Sequence, residues 1–227
     1  MTDKSLSARI PQTVIRFPDI RLQTRDAHKL RGYFGNLFRE HSPLLHNHFE
    51  DGSLRYAYPL VQYKVIDGIP MLVGFRDGAD LLAELFLEIK ELDIDGNRYP
   101  VLSKHIDHRQ VDLTPGDRLH RYTFKTLWMA LNQKNYREYI SLNDTAARKE
   151  MLDKLLRNNI LSFYKGVDYW TDEKILATSE VRSKETHFKG KVMLGFTGTF
   201  TTNAFLPDYA GIGKSVARGF GTVMKMQ

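Results

Sequence analysis

Toward the end of the chain stands Gly211-Ile212-Gly213-Lys214-Ser215-Val216-Ala217-Arg218-Gly219-Phe220-Gly221, two glycine–apolar–glycine pairs around five residues that carry two cations. Glycine admits positive φ and close backbone approach, and successive N–H groups in such turns form concavities that hold anions. With Lys214 and Arg218 beside them, the stretch reads as a cradle for a phosphodiester backbone. A glycine-rich hairpin corner accounts for the same pattern. The nucleotide motifs fail on spacing: a Walker A loop requires glycine where Asp208 stands, and a dinucleotide fingerprint requires it where Val216 stands.

Histidine is the other residue type suited to chemistry, because it titrates nearest neutral pH and can give or take a proton. Of eight histidines, His41, His46 and His48 share one short loop, and on an extended backbone His46 and His48 point the same way. Such a pair could place a base and an acid at one phosphate, or merely hold the loop. The His-x-His spacing also suits a metal, but the wider ligand set of a metal site is missing, and His105 with His108 is a similar isolated pair. No cofactor is expected.

The elements that must position these groups follow from the hydrophobic pattern. At 227 residues the chain can bury a sizeable core as one large domain or two small ones, and 42% hydrophobic with 26% charged residues is ordinary for a globular protein. A net charge of +6 suits a polyanionic partner without demanding one. The absence of cysteine excludes disulfides, thiolate metal sites and cysteine nucleophiles. With no signal-peptide apolar region and no run of 18 apolar residues, the expectation is a cytoplasmic protein with no membrane partner.

Ile10 to Phe17 reads as a strand, followed by a helix over 26–40 with Leu30, Phe34, Leu37 and Phe38 on one face. Gly32 and Gly35 within it suggest something packed very close. Arg55 to Ile66 and Met71 to Phe75 form a hairpin about Asp67-Gly68, with Pro59 marking an edge or a bulge. An amphipathic helix over 79–92 and a strand or hairpin through Tyr99 to Leu113 complete a β-α-β-β-α-β order, and Thr114-Pro115-Gly116-Asp117 marks a boundary. The second half begins with a strand, Tyr122 to Leu131, and a long helix from Thr145 to Tyr164. Strands Lys174 to Arg182 and Lys191 to Thr202, the glycine stretch, and a last strand from Gly219 to Met226 follow. The fold class is therefore α+β: two tandem ferredoxin-like (RRM-like) βαββαβ units, residues 1–116 and 117–227, with the glycine-rich loop where the last helix of the second would run.

A duplicated ferredoxin-like chain with this loop before its final strand resembles the CRISPR-associated repeat-processing endoribonuclease family of the RAMP superfamily. Leu45-His46-Asn47-His48, the stretch from Tyr58 to Lys64, the stretch from Leu131 to Tyr136, Asn159 to Ser162 and Leu206 to Tyr209 are similar to one branch of it. The resemblance implies metal-independent cleavage of the CRISPR repeat in precursor RNA, in which a ribose 2′-OH attacks the adjacent phosphate and leaves a 2′,3′-cyclic phosphate and a 5′-OH. It implies His46 and His48 as catalytic, with Tyr33 and Lys64 as partners and Arg31 as a further cation on the RNA. It also implies RNA binding by Gly211, Gly213, Lys214, Ser215, Arg218, Gly219 and Gly221. Precursor and mature guide RNA are the implied partners, with other CRISPR effector subunits as a further class and a monomer or homodimer as the state. The alternative is a non-catalytic RAMP-like subunit that binds guide RNA in an effector complex.

Tyr56, Tyr58 and Tyr63 could stack bases as on RRM-type sheets, although a half-buried strand is rich in tyrosine for packing alone. Arg148, Lys149, Lys154 and Arg157 on the long helix read as a solvated face.

Overall fold

The computed structural model describes residues 9–38, 58–188 and 191–227. The chain divides into two compact units, Met1–Asp112 with Val216–Gly219, and Leu113–Ser215 with Phe220–Gln227.

In the first unit, β1 (Arg9–Arg16) buries Ile10, Val14 and Ile15 and leads through a short 3-10 turn into α1 (Ala27–Leu37). The turn is closed by the Asp26 carboxylate, which accepts from the Gln23 N–H at 3.0 Å. Lys29 reaches Asp26 at 2.8 Å and Asp95 at 2.7 Å. β2 (Val61–Ile66) and β3 (Ile69–Phe75) join through Asp67 and Gly68, both at positive φ, the mirror-image turn that matches strand twist. α2 (Asp77–Leu85) is followed by the hairpin of β4 (Glu91–Ile94) and β5 (Asn97–Pro100), then β6 (His105–Asp112). The main sheet has order β2-β3-β1-β6 and is antiparallel throughout. That is the ferredoxin-like arrangement, with the β4–β5 hairpin inserted before the last strand. Leu30, Phe34 and Phe38 from α1 meet Tyr63, Val65 and Leu72 from the sheet in one core.

The second unit repeats the topology. β7 (His120–Phe124), α3 (Gln133–Ser141), α4 (Thr145–Gly166), β8 (Ala177–Phe188), β9 (Lys191–Thr202) and β10 (Val223–Lys225) give a sheet of order β10-β7-β9-β8, again antiparallel. Its core is aromatic: Tyr122 stacks on Phe200 at 5.2 Å, and Phe124 lies nearly parallel to Trp128 at 5.3 Å. The Tyr164 hydroxyl donates to the carbonyls of Leu113 and Phe205, fixing α4 to the start and end of the unit. Asp153 fastens α4 to β8, accepting from the Ser179 N–H at 2.7 Å and hydroxyl at 2.6 Å.

Several local expectations change. The helix expected over 79–92 ends at Leu85, because Ile89 and Leu92 are buried as extended chain leading into β4 rather than as a helical face. Leu37 is 45% exposed and does not belong to the buried stripe of α1. A Cβ at Gly32 would meet nothing within 4 Å, so no close packing explains that glycine. The strand expected to Leu131 stops at Phe124, and Trp128 then bridges to Phe196. Helix α3 was not anticipated, although Tyr136, Tyr139 and Ile140 stand at helical spacing; none of its residues is buried. Among the described residues no helix is long and apolar enough to cross a membrane.

Candidate nucleic-acid interface

The glycine stretch is a tightly packed turn before it is anything else. Gly213, Gly219 and Gly221 all have positive φ (98°, 88° and 62°), and Ser215 adopts 56° without the freedom of glycine. A Cβ on Gly213 would lie 2.8 Å from the Trp128 ring, and one on Gly221 would overlap the Ile212 carbonyl oxygen. Gly211 bridges Thr222 as the chain turns toward β10. The N–H groups of Ile212, Lys214, Gly219 and Gly221 donate to the carbonyls of Gly221, Met129, Val216 and Leu127. Those four amides are taken up by the protein's own carbonyls and are closed to an anion. Of the two cations in the stretch, Lys214 is exposed and Arg218 is half-buried.

Val216–Gly219 belongs to the first unit, and there the expected cations come together. A Cβ on Gly219 would lie 2.7 Å from the Ala27 Cβ and 3.3 Å from the Tyr63 carbonyl oxygen, so glycine lets this turn settle onto α1 and β2. Arg31, half-buried on α1, has its pKa lowered by burial and then by the neighbouring charge of Arg218. Lys64 on β2 is completely enclosed, and loss of water brings its pKa down from 10.5 to about 7. The charge of Arg218 thus acts on Arg31, and the enclosed Lys64 lies beside the same turn.

Other candidates have partners within the fold. The Tyr33 hydroxyl donates to the Glu91 carbonyl at 2.9 Å, its ring lies edge-on to Phe34, and burial raises its pKa ahead of the nearby charges of Glu91 and Asp93. Tyr63 is 1% exposed and stacks with Phe34 at 5.9 Å, so it offers no face to a base. Tyr58 accepts from the Gln62 amide at 2.6 Å. His108 shares a 2.8 Å hydrogen bond with the Thr13 hydroxyl. His41, His46, His48 and Tyr56 lie outside the described residues.

One feature escaped sequence reasoning. In the second unit Asn132, Gln133, Lys134, Arg137 and Lys214 line an open groove of about 680 Å³. Asn132 caps α3 by accepting from the Asn135 N–H at 2.7 Å, the signal by which the helix start could have been found. On the long helix, by contrast, Arg148 bonds the Leu142 carbonyl and lies over Tyr139, and Lys149 pairs with Asp153 at 2.6 Å.

Two tandem ferredoxin-like units, the second with a glycine turn before its last strand, define a RAMP-type fold. Family models support a narrower placement: the Cas6b N-terminal domain matches residues 9–112 and the Cas6b C-terminal domain matches residues 115–226. A crystal structure of Cas6b is 35% identical, with 96% of this chain and 100% of that one covered and a TM-score of 0.91. A second, of the CRISPR RNA processing endoribonuclease Cas6b, is 32% identical over 96% of this chain and 100% of that one, with a TM-score of 0.78. A protein of Methanocaldococcus jannaschii described as uncharacterized is 37% identical over 147 residues, 64% of this chain and 99% of its own length. The chain belongs to the Cas6b family.

Proposed function

We propose that this protein processes CRISPR RNA as an endoribonuclease, cutting the repeat of the precursor by 2′-OH attack to leave a 2′,3′-cyclic phosphate and a 5′-OH. The carrying observation is that both halves match Cas6b domains while a 32% identical structure over 96% of the chain is described as a CRISPR RNA processing endoribonuclease. The reaction needs a base for the 2′-OH, an acid for the leaving 5′-oxygen, and positive charge for the pentacoordinate phosphorane. The first two roles fall to His46 and His48, and the charge to Arg31 and Arg218. Histidines and guanidinium groups meet all three needs, so the proposed reaction runs without a metal ion. Lys64 adds buried charge beside the Gly219 turn and Tyr33 steadies α1, each as a positioning residue. Lys214 holds the RNA backbone by its side chain, while Gly211, Gly213, Ser215, Gly219 and Gly221 present the cations.

The test is incubation of repeat-containing RNA with the protein in excess EDTA, followed by end-group analysis. A 2′,3′-cyclic phosphate is expected, and a His46→Ala/His48→Ala variant should lose at least about 10²-fold in single-turnover rate while still binding RNA. Tight binding without cutting by a folded sample would refute the enzyme and favour an RNA-binding subunit. Full activity of the double variant would refute the assignment of the histidines.

A further inference from the structure

We propose that the groove at the start of α3 is an additional RNA-backbone subsite, in which Lys134, Arg137 and Lys214 hold successive phosphates of a single-stranded segment of the substrate. This inference rests on the proposed RNA-processing function.

Three cations and two carboxamides line the groove, and no carboxylate does. Among the described residues, none of the three cations has an ion-pair partner, whereas Lys29, Arg121 and Lys149 each approach a carboxylate within 2.8 Å. All three are exposed. Lys134 and Arg137, three residues apart on one helix, are surface neighbours. Lys134 also stands in the first turn of α3, where no acidic residue is present. The macrodipole there is positive and disfavours a cation. With Arg137 and Lys214 lining the same groove and no carboxylate among them, three positive charges converge where an anion would offset their repulsion. The missing partner is an anion, and the helix N-terminus reinforces its attraction.

The backbone that carries these charges is held in place. The Lys214 N–H donates to the Met129 carbonyl at 3.0 Å, and Gly213 lies against the Trp128 ring. Trp128 is locked to Phe196 by two backbone hydrogen bonds of 2.8 and 2.9 Å, and its indole N–H donates to Asn159 at 3.0 Å. Met129, Ala130 and Leu131 are buried and lead directly into the Asn132 cap. Lys214 is thus brought to α3 across 80 residues of sequence by packed chain rather than by a mobile loop. At about 680 Å³ the groove is open and far larger than one phosphate needs. The carboxamides of Asn132 and Gln133 add donors and acceptors suited to a ribose 2′-OH or an unpaired base edge.

The experiment measures the affinity of repeat RNA for the wild-type protein, for Lys134→Gln/Arg137→Gln and for the control Lys154→Gln, at several salt concentrations. Lys154 is exposed on α4 and lines no part of the groove. The double variant should bind roughly tenfold or more weakly, and its log–log salt slope should flatten by about 1.4, two single-strand phosphate contacts. The control should match wild type in both. Wild-type binding and cleavage with an unchanged double variant would overturn the subsite and leave the proposed function standing. A folded wild-type protein that binds no RNA would overturn both. A control loss of half or more of the double variant's, on a logarithmic scale, would also overturn the subsite, since net charge alone would then explain the weakening.

Discussion

Replacing Lys64 by methionine keeps most of the side-chain volume and removes a charge that the fold encloses completely. The folded pKa is depressed by desolvation from 10.5 to about 7, so the unfolded chain holds this proton more tightly than the folded one. Below about pH 7 both states are protonated, and the folded state bears the full penalty of a buried ammonium. Between pH 7 and 10.5 only the unfolded state stays protonated, so the penalty shrinks as pH rises. A shift of this size corresponds to about 5 kcal/mol at pH 6 and about 2 kcal/mol at pH 9. Urea unfolding of the wild type and of Lys64→Met across that range should therefore show the variant's advantage falling by about 3 kcal/mol. Constant differences in packing or hydrogen bonding cancel in that pH dependence. A stability difference that stays flat from pH 6 to pH 9 would refute the reasoning, because Lys64 would then not change its proton occupancy on folding.

Gly221→Ala should destabilise by about 3–5 kcal/mol, from positive φ plus backbone hydrogen bonds displaced by the clash with Ile212, and lower Tm by roughly 6–20 °C in a thermal melt. Gly32→Ala should stabilise by about 0.5–1 kcal/mol in the same melt, since a Cβ meets nothing at that exposed helical position. Burial raises the Asp153 pKa, but hydrogen bonds from Lys149 and Ser179 outweigh it and leave the net shift downward. Its contribution is present above the ordinary carboxylate pKa of 3.8 and disappears as pH falls through the lower folded value. Asp153→Ala should accordingly lose about 1–3 kcal/mol in urea unfolding at pH 7, with the difference narrowing in strong acid.

Much of the architecture was legible in the chain itself. The hairpin turn Asp67-Gly68 stands at positive φ, which its residue types tolerate, and β9 spans Lys191–Thr202 as its alternation indicates. Element order specified two ferredoxin-like units because strand and helix periods differ and short connections leave few pairings. The glycine stretch was equally visible, since residue type alone dictates where positive φ is tolerated.

Side-chain partners were not legible, because they depend on which distant segments pack together. Lys64 reads as an ordinary strand cation, yet its strand is buried along its whole length, and burial rather than sequence neighbours brings its pKa near neutrality. Helix α3 is short and buries none of its residues, so its cap and its cations drew no attention in the sequence. The glycine stretch looked like a backbone cradle, but four of its amides are taken by carbonyls, two within the stretch and two, of Leu127 and Met129, that only folding brings within reach. Glycine spacing, a local property, determined that a turn would form there. Which charges that turn would meet, Arg31 in one unit and the α3 groove in the other, was decided by tertiary packing, because burial and electrostatics act through space and not along the chain.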